Sequence, residues 1–452
     1  MADYSKIFKA YDIRGLVPDE LDEGVAEAVG AAFARLTGAP AVVTVHDMRT
    51  SSEPLSEAFA RGVTASGADV VDGGLGSSDM LYYASGYLGM PGAMLTASHN
   101  PAKYNGIKLC LAGAKPLSQD TGLAEVREMA CSWVRGTAIP QGTVHGKDLL
   151  SGYADYLKTL VDLSGIRPLK VAVDAGNGMA GHTVPKVFDG LPIQTVPLYF
   201  ELDGSFPNHE PNPIDPANLQ DLRRAVIASS ADIGLAFDGD ADRCFVVDER
   251  GEPVSPSALT ALIAVRELER EPGATIIHNL ITSRAVPEIV ASHGGTAVRT
   301  RVGHSFIKAV MAERGAVFGG EHSGHFYFRD FWFADSGMLA ALHVLAALGG
   351  QDKPLSELLS QYSKHVASGE INSEVADQSG AMAKVRRIFA GRPGISADDL
   401  DGLTISAQDW WFNLRPSNTE PLLRLNVEAE DDATLAKVTD EVLHIVRDDA
   451  EP

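Results

Sequence analysis

Ala93-Met94-Leu95-Thr96-Ala97-Ser98-His99-Asn100-Pro101 is the stretch on which the reading of the fold turns. Its apolar start has the length of a buried strand, and Asn100-Pro101 forces a turn just beyond it. The Ser98 hydroxyl is therefore expected at the rim of a sheet, where open α/β folds place their chemistry. Three readings of it stand open: a nucleophile, a phosphate carrier, or a serine that satisfies a turn.

The same plan recurs outward from this stretch. Strand-like runs at 41–45, 70–72, 93–96 and 107–111 accompany an amphipathic stretch at 54–66. A helix at 151–161 and a strand at 170–174 open a second unit, and a helix at 256–268 and a strand at 275–278 open a third. Such alternation predicts parallel α/β layers. Each unit carries a strand that ends in a polar loop, at 96–100, 238–243 and 319–325. From about Gly369 the chain reads helix, strand, the loop 415–420, a strand at 422–427 and a helix at 432–447. The expected class is α/β: three similar domains at 1–147, 148–253 and 254–366, then a smaller α+β domain at 367–452.

A chain of 452 residues has the length of about three to four domains. With 60 acidic against 38 basic side chains, the net charge of −22 argues against sequence-independent binding to nucleic acid. It leaves room for a small anionic substrate in a locally cationic site. Cys110, Cys131 and Cys244 show no metal-ligand spacing and suit a reducing cytoplasm. Residues 1–15 lack the continuous apolar core of a secretory signal. The apolar stretch 338–348 is interrupted by His343 and is too short to span a bilayer, so no membrane is expected as a partner.

Asp238-Gly239-Asp240-Ala241-Asp242-Arg243 follows the apolar run Ile233-Gly234-Leu235-Ala236-Phe237. Three carboxylates two residues apart repel one another unless a cation sits among them, and oxygen ligands with few other donors suit Mg²⁺. An EF-hand also begins this way, and Glu249 falls at its twelfth position, but the sixth is Arg243 where glycine is needed. A solvated acidic turn is the other plain alternative.

Near Ser98 lie His99, Lys103 and Lys108. His99 is adjacent in sequence, which suits a Ser–His pair poorly. A phosphoserine would bring a charge of about −2. A metal among Asp238, Asp240, Asp242 and that phosphate, with Lys108 and Arg243 nearby, makes a coherent phosphoryl-transfer centre. Gly320-Glu321-His322-Ser323-Gly324-His325 offers a carboxylate, a hydroxyl and imidazoles on a glycine-flanked turn. It reads as a sugar-binding loop, a weak metal site or a polar turn. Arg415-Pro416-Ser417-Asn418-Thr419-Glu420 suits three phosphate oxygens, or is a capped surface loop. Arg301-Val302-Gly303-His304-Ser305 and Lys9-Ala10-Tyr11-Asp12-Ile13-Arg14-Gly15 add further cations.

Taken together, these loops resemble the α-D-phosphohexomutase superfamily, and within it the bacterial phosphomannomutase/phosphoglucomutase branch. The resemblance runs from Tyr11 to Pro421, nearly the whole chain. It implies four domains around a central cleft, three sharing an α/β core of mixed sheet and the fourth a smaller α+β unit. It implies that Ser98 is the phosphoserine and that Asp238, Asp240 and Asp242, with Ser98, hold Mg²⁺ beside Arg243. Glu321 and Ser323 would bind sugar hydroxyls, and Arg415, Ser417, Asn418 and Thr419 the phosphate that is not reacting. Tyr11, Arg14, Lys108, His304 and His325 would line the site, with Lys108 and His325 the acid/base candidates.

The implied reaction interconverts hexose 1-phosphate and hexose 6-phosphate, mannose first and glucose second, through hexose 1,6-bisphosphate. The implied partner is the sugar phosphate, and the implied enzyme is a monomer or homodimer. Phosphoglucosamine mutase, a Ser-nucleophile phosphohydrolase and a Ca²⁺-binding protein are the rival readings. Many relatives carry a substrate-contacting Lys just before the pair matched here by Ser283-Arg284. This chain has Asn279-Leu280-Ile281-Thr282 there. His322 stands where phosphoglucosamine mutases usually have Gln, and Ser417-Asn418 where they usually have Ser-Gly.

Overall fold

Six residues rich in β-branched side chains, Ala41-Val42-Val43-Thr44-Val45-His46, form a strand whose middle four side chains are buried. Asp69–Leu75 and Gly92–Leu95 run parallel on either side of it. The computed structural model describes residues 3–134, 141–416 and 422–447. The chain divides into two compact units. One comprises residues 1–256, 311–318 and 323–358; the other comprises 257–310, 319–322 and 359–452.

The first unit begins with a seven-stranded mixed sheet. Its order is Ile13–Leu16, Tyr104–Leu111, Gly92–Leu95, Ala41–His46, Asp69–Leu75 and Val144–Gly146, with Lys115–Pro116 added to Tyr104–Leu111. The strand Tyr104–Leu111 is antiparallel to both of its long neighbours. Helices Glu23–Thr37 and Ser52–Ala65 bury Val29, Phe33 and Phe59 in one core with Val42, Val70 and Leu95. Asp22 caps the first of these helices by accepting from Val25 N, and Gly38 ends it at φ 57°.

A second sheet follows in the same unit, ordered Pro253–Val254, Cys244–Asp248, Ile233–Phe237, Leu169–Asp174 and Ile193–Leu198. Ile233–Phe237 is parallel to Leu169–Asp174 and antiparallel to Cys244–Asp248. Every residue of Ile233–Phe237 is buried, as a strand covered on both faces requires. The unit also holds the antiparallel pair Phe326–Phe328 and Ala334–Asp335, followed by the helix Gly337–Gly349. That helix contains the apolar stretch 338–348, and it is buried along nearly its whole length. Among the described residues no helix is long and apolar enough to cross a membrane.

In the second unit Thr275–Asn279 and Thr296–Thr300 pair in parallel. Its C-terminal part is a five-stranded antiparallel sheet, ordered Val366–Glu374, Leu422–Ala429, Trp410–Pro416, Leu403–Ser406 and Ser396–Asp398. Helices Gln378–Phe389 and Asp432–Arg447 bury Val385, Phe389, Val442 and Val446 against Phe412, Leu414 and Leu425. One expectation is corrected here. The tail opens with the strand Val366–Glu374, not with a helix. This strand lies at the sheet edge and only Ser373 is fully buried, so its sequence carries little hydrophobic alternation to read.

Candidate active site

Two strand ends of the first unit build the centre. Gly92–Leu95 delivers Thr96-Ala97-Ser98, where Thr96 Oγ1 accepts from Ser98 N at 2.9 Å. Ile233–Phe237 delivers Asp238, and a turn closes with Ala241 N donating to Asp238 O at 3.0 Å. Ser98 and Ala241 both take left-handed backbone conformations, φ 49° and 59°. The two loops touch at Gly239, where a Cβ atom would sit 2.5 Å from Ser98 O. Only glycine permits that approach.

The approach sets the Ser98 hydroxyl against the acidic loop. Ser98 Oγ donates to Asp238 Oδ2 at 2.8 Å, and the residue is 5 % exposed. Arg243 holds the same carboxylate, from N to Oδ1 at 3.1 Å and from Nε to Oδ2 at 2.9 Å. Lys108 Nζ donates to Asp240 Oδ2 at 2.7 Å and Asp242 Oδ2 at 2.6 Å. Ser78 Oγ donates to Asp240 Oδ2 at 2.6 Å. Arg14 reaches Asp12 and the side chain of Asn100, and Tyr11 is half-buried on the same segment. His325 Nδ1 lies 3.0 Å from Asp335 Oδ2 and 3.9 Å from Asp242 Oδ1. Since a carboxylate accepts, Nδ1 carries the proton and the neutral ring keeps Nε2 as its basic nitrogen.

Charge follows from this packing. Burial pushes the Asp238 carboxyl up to about 7; Arg243 opposes the shift, while Asp242 and Asp240 add to it. Asp240 is held below the usual range in spite of its burial, because Lys108 stands against it. Burial disfavours the Lys108 ammonium, yet Asp240 and Asp242 keep it charged well above its ordinary value. Burial, with Arg243 and Arg14 close by, holds His99 well below the usual imidazole range. His99 Nδ1 is 3.3 Å from Ser98 Oγ, but the one serine proton is directed at Asp238. This is not the arrangement of a Ser–His nucleophile.

The centre can hold a cation. One ligand atom from each of Asp238, Asp240 and Asp242 lies within 4.8 Å of the others, and all three residues are buried. Asp240 Oδ1 and Asp242 Oδ1 are buried without a hydrogen-bond partner among the described residues. Buried carboxylate oxygens left bare are costly unless an ion completes them. The loop is not an EF-hand, because strands flank it and Glu249 is turned to Ser356 N at 3.0 Å. Glu321 and His322 belong to no metal-competent cluster among the described residues.

In the second unit Glu321 is buried, and Asn279 Nδ2 lies 3.1 Å from His322 Nδ1. Leu280 and Ile281 pack with Trp411. Within 279–282, where the resemblance leads to the expectation of a lysine, Leu280 and Ile281 are thus used for apolar packing. Arg284 donates to the carbonyls of Ala407, Gln408 and Trp410. Arg415 pairs with Glu370 at 3.2 Å, and Glu370 also meets Arg424 at 3.4 Å. Ser323 falls in the first unit and is half-buried. Ser417, Asn418 and Thr419 lie outside the described residues, as does the side chain of His304.

Several participants in the first unit are not apparent from the sequence: Ser78, Asp335 and Arg49, whose guanidinium donates to carbonyls around Ser98. The signal for Arg49 is Asp47-Met48-Arg49, an acid and a cation directly after a buried strand.

Models of the phosphoglucomutase/phosphomannomutase family match four consecutive parts of the chain. Its α/β/α domains I, II and III match residues 5–130, 151–251 and 255–365, and its C-terminal domain matches 370–445. The chain belongs to this family. A phosphomannomutase of Escherichia coli (strain K12) is 40% identical over 437 residues, covering 95% of this chain and 96% of that one. A protein named phosphohexose mutases, from Xanthomonas campestris pv. campestris (strain ATCC 33913), is 41% identical over 97% of this chain and 99% of its own length. The crystal structure of a phosphoglucomutase/phosphomannomutase family protein from Burkholderia thailandensis superposes with a TM-score of 0.89. It is 34% identical and covers 100% of this chain and 98% of that one.

Proposed function

We propose that this protein is a phosphohexomutase that interconverts hexose 1-phosphate and hexose 6-phosphate, with mannose preferred and glucose second. The observation that carries the reading is the Ser98 hydroxyl, 2.8 Å from Asp238 in a buried acidic loop that Lys108 and Arg243 flank. The order of sugars rests on relatives named phosphomannomutase at 40% identity.

Asp238, Asp240, Asp242 and the Ser98 oxygen would hold Mg²⁺, which when bound offsets the carboxylate charge and draws electron density from the phosphoryl group. Ser98 stores that group. In the first half-reaction the bond from phosphorus to Ser98 Oγ breaks as a bond to the free sugar hydroxyl forms, giving hexose 1,6-bisphosphate. The hydroxyl proton leaves to a base. In the second half-reaction the bisphosphate, turned round, returns its other phosphoryl group to Ser98, and the freed sugar oxygen takes up a proton. His325, with Nδ1 on Asp335, keeps Nε2 for the proton as it arrives. Lys108 stays charged between Asp240 and Asp242 and acts as acid or as counter-charge.

Tyr11, Arg14 and His304 would line the substrate. Glu321 and Ser323 would hold sugar hydroxyls, and Arg415, Ser417, Asn418 and Thr419 the distant phosphate. Three free cysteines suit the cytoplasm as the place of the reaction.

The test is a coupled assay primed with hexose 1,6-bisphosphate. The expected order of kcat/KM is mannose 1-phosphate, glucose 1-phosphate, glucosamine 1-phosphate, with the amino sugar about tenfold or more below mannose. An amino sugar ranking first would overturn the substrate assignment. Turnover of none of the three would overturn the mutase reading.

A further inference from the structure

Behind the Ser98 turn lies a third arginine, Arg49, which touches none of the acidic loop's carboxylates. Arg49 is 3 % exposed. Its Nη1 donates to Pro101 O at 3.0 Å and Tyr104 O at 2.9 Å, and its Nη2 to Ser98 O at 2.8 Å and Asn100 O at 2.7 Å. One planar fork therefore gathers four carbonyls of a single loop. Asp47 balances the charge, with Oδ2 3.3 Å from Nε and Oδ1 accepting from Arg49 N at 3.0 Å. The ring of Phe206 covers the guanidinium at 5.0 Å. Asp47 N donates to Leu95 O at 3.0 Å, which ties the whole support to the strand that delivers Ser98.

We propose that Arg49 is the positioning residue that keeps the Ser98 hydroxyl aimed at the acidic loop, a role that rests on the phosphohexomutase reading above. The backbone alone does not favour this turn. Ser98 sits at φ 49°, a conformation that costs a non-glycine residue free energy and persists only when its surroundings impose it. The carbonyls of a buried turn also need donors. Arg49 supplies four from one rigid group, so it sets the position of residues 98–104 as a block. A lysine at this place keeps the charge beside Asp47 but has no planar fork.

Arg49→Lys is the direct test, assayed beside the unsubstituted chain. The expected result is a kcat for mannose 1-phosphate about 100-fold lower, the size that a displacement of about 1 Å at a reacting group produces. KM should stay within about twofold, because the fork supports the reacting serine and not sugar binding. The unfolding midpoint should fall, because buried carbonyls lose their donors, so kcat is read under conditions where the variant is folded. A crystal structure of the variant should show the 98–101 turn displaced. An unmoved turn, or an undiminished kcat in the folded variant, overturns the proposal. Should Arg49→Lys fail to fold, Phe206→Leu removes only the ring over the guanidinium. It is expected to lower kcat severalfold at unchanged KM, with equal kcat overturning the proposal. An unsubstituted chain without turnover would count against the function itself, and the position of the turn then decides the role of Arg49 independently.

Discussion

Ser98 at φ 49° and Ala241 at φ 59° place backbone strain on the two loops whose side chains meet. Each such residue costs on the order of 1–3 kcal/mol, and the surrounding packing must hold it there. Gly239 makes the meeting possible, since a Cβ there would fall 2.5 Å from the Ser98 carbonyl oxygen. Backbone cannot swing aside as a flexible side chain does. Gly239→Ala is therefore expected to part the loops and lower kcat about 100-fold with little change in KM. Steady-state kinetics on the folded variant checks this, and an unchanged kcat contradicts it. At this scale the sequence is legible where chemistry is local. Three carboxylates spaced by two, with small residues between them, mark a candidate cation site by their spacing, although a solvated acidic turn shares that pattern. Ser78 is silent because its partner lies 162 positions away, and Arg49 shows only the faint signal of Asp47-Met48-Arg49, since the carbonyls it holds begin 49 positions on.

Two helices of the first unit start on one buried acid. Ser77 caps Ser78–Leu88 and Ser336 caps Gly337–Gly349. Both hydroxyls donate to Asp79, as does Tyr153 OH at 2.7 Å. Burial pushes the Asp79 carboxyl up to about 6, against the pull of the Ser336, Ser77 and Tyr153 hydroxyls. Its folded-state value thus lies above the 3.8 of the unfolded chain. Across that window the folded state holds a proton that the unfolded state has released. This contribution is full below the unfolded value and is lost as pH rises through the folded one, by about 3 kcal/mol in all. Asp79→Asn has no such proton to lose. Its stability relative to the unsubstituted chain should rise between pH 4 and pH 7, read from urea midpoints at each pH. A difference that stays flat with pH contradicts the assignment. Most elements are legible at this scale, because valine-rich runs and helical periodicity make strong local signals. Val366–Glu374 is not, since an exposed edge strand takes its conformation from the apolar partners Leu423 and Leu425.

Over the whole chain, the charge of −22 describes the surface better than the site. The Ser98 centre gathers Arg14, Arg49, Lys108 and Arg243 within one unit, where half-buried Asp12 holds Arg14 and buried carboxylates hold the others. Five carboxylates, those of Asp12, Asp47, Asp238, Asp240 and Asp242, meet these four cations, so a bound metal cation would be what suits the site to phosphate. Such pairing leaves no trace in the composition, which therefore says nothing of phosphoryl transfer. The central claim is that Ser98 carries a phosphoryl group between substrates, and intact mass spectrometry reads it directly. After incubation with hexose 1,6-bisphosphate, the unsubstituted chain should gain the mass of one phosphoryl group. Ser98→Ala should gain none and should lose nearly all turnover of mannose 1-phosphate. A phosphoryl group on the Ser98→Ala chain, or its turnover at the unsubstituted rate, would contradict the account.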